Sequence, residues 1–203
     1  MLDKSIPYKS ICMRLPAQAL QRLPSPTLPE GYSFEFYRPG RMADWARIEA
    51  SVLEFPSEQK AQETFARDFL PYEPLLETRM CFVCNPNGLP IAGATAWSIP
   101  RQEKQLNCLH WVAVQPGHQG LGLGRAIVLQ ALSRFRALGE EGDVFLHTQT
   151  WSHVAVRLYH SLGFVMQAKD AFSDKDMPLQ EALEILSWRL SPQELRSLRE
   201  TAE

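Results

Sequence analysis

Gln119-Gly120-Leu121-Gly122-Leu123-Gly124 lies between two segments of different periodicity. On its N-terminal side, residues 106–114 are β-branched and apolar and run up to Pro116, which reads as a strand. On its C-terminal side, Ile127, Ala131, Phe135 and Leu138 form one stripe of a helix over 124–138. Val128 and Leu132 lie beside that stripe, and Gly139 is its stop. Strand, glycine turn and helix in that order make a seat for phosphate. The first N–H groups of a helix have no partner within it, and the aligned peptide dipoles add partial positive charge there. Glycine at every second position lets the main chain approach an anion closely and enter φ values that other residues avoid. Arg125 adds a formal charge at the same helix start.

The rest of the chain must supply a body for this turn. With 203 residues, 45% of them apolar, and ten Phe and five Trp, it can fill one core, with or without an appendage. A formal net charge of −2 gives no general attraction to nucleic acid or anionic lipid, so neither is expected as a partner and phosphate affinity has to be local. Cys81 and Cys84 have the C-x-x-C spacing of a metal or redox site. They sit in a segment that reads as a strand, where their side chains point to opposite faces, and no second pair has ligand spacing. Buried, reduced cysteines and no metal are therefore expected for Cys12, Cys81, Cys84 and Cys108. The N-terminus has no long apolar stretch of the signal-peptide kind, and no apolar run reaches the ~18 residues of a membrane span. A cytoplasmic setting is the expectation.

Residues 1–30 are rich in proline towards their end and read as an arm and linker, with one extended segment over 9–15 able to pair with a sheet edge or another subunit. The main domain is expected over 31–203. Its first strand is the alternating run 32–37. Helices follow over 42–55, stopped by Pro56, and over 58–70, capped by Ser57 and ended by Pro71. Strands over 79–85 and 91–99 flank the turn Asn85-Pro86-Asn87-Gly88. After the glycine turn and its helix come a strand over 144–148, a helix over 152–162 closed by Gly163, and strands over 164–167 and 183–190. Hairpins early and βαβ units late predict an α/β (α+β) domain: a mixed, mostly antiparallel sheet of about six to seven strands, with parallel neighbours in its second half and helices on both faces.

Strand Trp111-Val112-Ala113-Val114, Pro116, Gln119, Gly122 and Gly124 together resemble the acyl-CoA-binding motif of the GCN5-related N-acetyltransferase (GNAT) family, Gln or Arg, two residues, Gly, one residue, Gly or Ala. Downstream, Ala155, Leu158, Tyr159, Gly163 and Phe164 match that family's A-x-x-L-Y-x-x-x-G-F pattern. The resemblance covers residues 32–190. One departure is Ser152, where the family often carries an Asn that contacts coenzyme A; the shorter hydroxyl keeps hydrogen-bonding capacity with less reach.

The resemblance implies acetyl-CoA as co-substrate and a primary amine, on a small molecule or peptide, as acceptor. It places the pyrophosphate against the backbone N–H groups of Gly120, Leu121, Gly122, Leu123, Gly124 and Arg125. It also places the pantetheine arm along Val112, Ala113 and Val114, where two strands splay apart. Tyr159 takes the role of the family tyrosine that protonates the leaving thiolate. The base is open between three groups or water. His110 is expected on the face of Val112 and Val114, His147 on the next strand, and Glu54 at the end of the first helix. A homodimer is carried over from the family with no residue that specifies it.

Two other functions compete. A dinucleotide-binding dehydrogenase requires a different glycine spacing, an acidic residue about 20 residues on, and a motif early in the chain; none of these is present. A sensor that binds coenzyme A without turnover shares every residue named so far, and only an assay separates it from an enzyme.

Overall fold

In a computed structural model of the chain, which describes residues 2–101 and 104–203 (Lys104 by its backbone alone), seven strands and eight helices follow one another in mixed order. The strands are β1 Ser10–Leu15, β2 Ser33–Phe36, β3 Met80–Cys84, β4 Pro90–Arg101, β5 Lys104–Val114, β6 Val144–Gln149 and β7 Val165–Met166. The helices are α1 Ala17–Arg22, α2 Met42–Ser51, α3 Glu58–Asp68, α4 Glu73–Arg79, α5 Leu123–Ala137, α6 His153–Ser161, α7 Leu179–Leu186 and α8 Pro192–Thr201. The strands form one open mixed sheet in the order β2-β3-β4-β5-β6-β1-β7, with helices on both faces. The chain divides into two compact units, and β4 and β5 each contribute residues to both.

The first unit comprises Pro24–Trp97 and Leu109–Glu140. Here β3 pairs antiparallel with β2 and with β4, and all five of its residues are buried, as expected of a strand covered on both sides. Met80 and Phe82 turn towards α2 and α3, joining Tyr37, Trp45, Ile48, Phe65, Phe69 and Ala113 in one cluster. On the other side, Arg134 of α5 donates to the Thr78 carbonyl at 2.8 Å, and its guanidinium lies 4.8 Å from the Phe36 ring centre. Helix α5 buries Ile127, Val128, Ala131, Leu132 and Phe135, the stripe that its sequence marks out. Helix α3 starts where expected: Ser57 accepts from the Lys60 N–H at 3.2 Å.

The second unit comprises Leu2–Leu23, Ser98–Cys108 and Glu141–Glu203. Its parallel pair is β5 with β6, Cys108 opposite Phe145. The segment expected to reach a sheet edge is strand β1. It lies between β6 and β7, antiparallel to both, with Cys12 opposite His147 and Met13 opposite Met166. Arg14 is held to Asp143 at 2.7 Å, and the Thr150 hydroxyl donates to the Pro7 carbonyl at 2.6 Å.

One expected strand is corrected. Residues 183–190 do not extend the sheet: Leu179–Leu186 is helix α7, which buries Ala182, Leu183, Ile185 and Leu186 at helical spacing. A short apolar run satisfies both periods, and packing decides between them. Helix α2 stops at Ser51 rather than running to Phe55, because Leu53 takes a left-handed φ of 69° ahead of Pro56.

Phe65 sits at the centre of the first unit's core, fully buried, 5.2 Å from Trp45 and 5.1 Å from Phe69 between ring centres. Phe65→Ala is expected to lower unfolding free energy by about 3–5 kcal/mol, measured by urea denaturation.

Candidate active site

The turn that opens α5 is built as its glycines require. Gly120 and Gly122 have φ of 80° and 79°, left-handed values that a β-carbon disfavours, and Gly122 is the residue from which α5 starts. A β-carbon at either position would meet nothing within 4 Å, so the main chain there faces open space. The first hydrogen bond of the helix runs from the Ala126 N–H to the Gly122 carbonyl at 3.1 Å, so the preceding amides lie outside the helical ladder. No acidic residue lies in the first turn, and Arg125 is exposed there. Leu123 is buried and anchors the turn, while Leu121 is exposed. Gln119 reaches back, its Nε2 donating to the Val114 carbonyl at 2.8 Å, and so ties the turn to the end of β5. These features fit a diphosphate: open amides, a left-handed turn and no opposing charge.

Strand β5 leads into this turn and is not regular. Trp111 has a φ of 49°, rare for a bulky residue and a mark of local strain. This interrupts the alternation of side chains, and the expected placement of His110 is overturned by it. The His110 ring lies 6.1 Å from Phe69 and 5.4 Å from Trp111, on the side where Trp111 and Ala113 meet the helices, not with Val112 and Val114. Among the described residues, the ladder between β5 and β6 holds Asn107 opposite Val144 and Cys108 opposite Phe145, and does not include Val112 or Val114.

Glu54 is exposed. Glu49, one turn beyond Trp45 on α2, is the carboxyl that the fold encloses: it is 1% exposed. Burial pushes its pKa well above the ordinary carboxylate value, and the charge of Glu54 adds to the shift. Nothing in the sequence separates it from the solvated glutamates of an amphipathic helix.

The second unit carries the other expected residues. Tyr159 is buried on α6, its ring 5.7 Å from Phe164. Ser152 precedes α6 without capping it through its side chain. His147 is exposed on β6, with Nε2 2.8 Å from Asp170 Oδ1 and its ring 4.6 Å from that of Phe172. Burial opposes ionisation of Asp170, yet hydrogen bonds from Ser173, the Phe172 N–H and His147 hold its carboxyl below the usual range. Cys12, His147 and Asp170 form a group whose possible ligand atoms lie within 4.8 Å of one another, unmarked in the sequence because its members are far apart. All four cysteines are buried, with no disulfide among them. Burial raises the Cys108 thiol to about 12 and the Cys12 thiol to about 11, so neither is a thiolate nucleophile near neutral pH.

Residues 20–164 match the acetyltransferase (GNAT) family, and the chain belongs to it. Mycothiol acetyltransferase of Thermomonospora curvata is 30% identical over 167 residues, covering 82% of this chain and 54% of that protein. That of Actinosynnema mirum is 32% identical over 145 residues, covering 68% and 46%. The chain thus spans about half the length of the curated relatives it matches. Among solved structures, a GCN5-related N-acetyltransferase from Sphaerobacter thermophilus superposes with a TM-score of 0.62 at 18% identity, over 79% of this chain and 49% of that one. A tandem GNAT protein from the clavulanic acid biosynthesis pathway gives 0.56 at 19%, over 80% and 51%.

The enclosed carboxyl sets a pH dependence. Because the folded-state pKa of Glu49 lies above its unfolded value, its ionisation opposes folding, and that opposition grows as pH rises through and beyond the unfolded value. Glu49→Gln is expected to raise Tm at pH 7, by roughly 3 °C per kcal/mol relieved, with the gain vanishing as pH falls to about 4. Calorimetric scans of both proteins across pH measure it.

Proposed function

We propose that this chain is an acetyl-CoA-dependent N-acetyltransferase that moves the acetyl group directly to a primary amine. The observation that carries this reading is the left-handed turn at Gly120 and Gly122, with its open main chain at the start of α5. Family membership supplies the identity of the anion. Backbone amides from Gly120 to Arg125 bind the pyrophosphate, and the main chain of Val112 and Val114, outside the β5–β6 ladder, pairs with the amides of the pantetheine arm. The names of the curated relatives support acetyl transfer.

Bound acetyl-CoA supplies an activated acetyl thioester. The amine nitrogen forms a bond to the acetyl carbon as the carbon–sulfur bond breaks. The Tyr159 hydroxyl gives its proton to the departing sulfur, and His110, His147, Glu54 or water takes the proton released from nitrogen. A covalent route through Cys108 is disfavoured by its raised thiol pKa.

Calorimetry with acetyl-CoA tests the reading. Wild type is expected to bind, and Gly122→Trp to bind at least about tenfold more weakly, since even one well-placed donor lost is worth on the order of 1–3 kcal/mol, with its circular dichroism unchanged. Equal affinity in the two proteins would refute the role of the turn. Thiol release over a panel of amines separates an enzyme from a sensor: binding without turnover on any amine would establish the sensor. In Tyr159→Phe, kcat should fall on the order of a hundredfold with KM for acetyl-CoA nearly unchanged, and a wild-type kcat would remove its acid role.

A further inference from the structure

Buried polar atoms in a folded protein are almost always hydrogen-bonded. In the first unit, four that are not converge on one layer. Trp45 Nε1, Glu49 Oε1, Thr95 Oγ1 and Trp111 Nε1 are each enclosed, and each is without a hydrogen-bond partner among the described residues. Trp45 and Glu49 are one turn apart on α2, on the stripe that packs inward. The Trp45 and Trp111 ring centres are 5.4 Å apart, edge to face. Phe55 stacks on Trp111 at 5.2 Å and lies 5.8 Å from Trp45, so the three rings wall one another. Thr95 comes from β4, where it lies opposite Met80, a member of the cluster that holds Trp45 and packs against Trp111. Phe55 and Trp111 are only half-buried, so the wall reaches solvent there.

An unmet group of this kind costs about 1–3 kcal/mol, more when it can ionise, and packing alone gives no reason to keep four together. Charge narrows the occupant. The one charged group acting on Glu49 is another carboxylate, Glu54, whose N–H donates to the Glu49 carbonyl at 3.3 Å. Among the described residues, no cation acts on the Glu49 carboxyl. What complements the set is an ammonium group to meet the Glu49 carboxylate, carried on an apolar body that the faces of Trp45, Phe55 and Trp111 can cover; indole faces attract cations most strongly. An oxygen on that body would accept from the indole N–H groups.

We infer that Glu49 is the acceptor-binding residue of this protein, receiving the ammonium group of an amine with an apolar body in the box formed by Trp45, Phe55 and Trp111. The inference rests on the acetyltransferase reading for the fate of that amine, and on the geometry of the first unit for its binding. Trp45 and Trp111 act as positioning residues, holding the apolar body while their N–H groups orient it.

The test reads binding rather than turnover. Phenethylamine and its uncharged counterpart 2-phenylethanol are titrated calorimetrically into the whole chain, wild type and Glu49→Gln. Wild type should bind the amine at least tenfold more tightly than the alcohol, and Glu49→Gln should lose that preference while keeping its melting cooperativity and its affinity for acetyl-CoA. Amine binding unchanged in Glu49→Gln, equal binding of amine and alcohol by wild type, or no amine binding would each overturn the inference. Absence of acetyl-CoA binding in the same proteins would instead count against the acetyltransferase reading, so the two failures are distinguishable. In a turnover assay the same variant should raise KM for the amine more than it lowers kcat.

Discussion

Two left-handed glycines, at 120 and 122, determine how the chain passes from β5 into α5. Any other residue at these positions would oppose that path on backbone sterics, and a helix entered without the turn would present its first amides elsewhere. The local structure follows from this constraint. Leu123 is buried and fixes the turn from below, Gln119 fixes it from the side through the Val114 carbonyl, and the apolar stripe of α5 secures the helix to the sheet. An anion site made of main chain needs such support, because its donors are strong only while their directions are held.

Stability and function pull against each other on the opposite side of the first unit. Its aromatic cluster is a core of that unit, yet beside it lie a buried carboxyl with an unmet oxygen and two indole N–H groups in the same condition. Trp111 adds backbone strain to this. A fold selected for stability alone would replace Glu49 with an apolar residue and regularise β5. Retention of both beside the turn's own strand is what a binding site looks like when strain and desolvation are offset by a ligand.

Much of the fold was legible in the sequence because its signals are local. The stripe of α5, the hairpin turn at Asn85–Gly88 and the Ser57 cap each depend on residues within a turn or two of one another. Helix α7 is opaque to the sequence because Leu183, Ile185 and Leu186 satisfy a strand and a helix alike, and only packing separates them. The site was legible where glycine spacing encodes conformation and opaque where burial decides. A left-handed Trp111 in a β-branched strand has no sequence signature, and the break it makes in the alternation places His110 on the side of Phe69 and Trp111. Glu49 is indistinguishable in sequence from Glu54, although one is enclosed and the other exposed. The group of Cys12, His147 and Asp170 likewise exists only once β1 is paired with β6.

The most direct test of the central claim is amide-resolved nuclear magnetic resonance of the 15N-labelled chain titrated with coenzyme A. If the main chain at the start of α5 grips the diphosphate, the amide protons of Gly120, Gly122 and Gly124 move downfield and exchange more slowly with solvent, ahead of any change in the aromatic cluster. Saturable binding that leaves those three resonances in place would contradict the account.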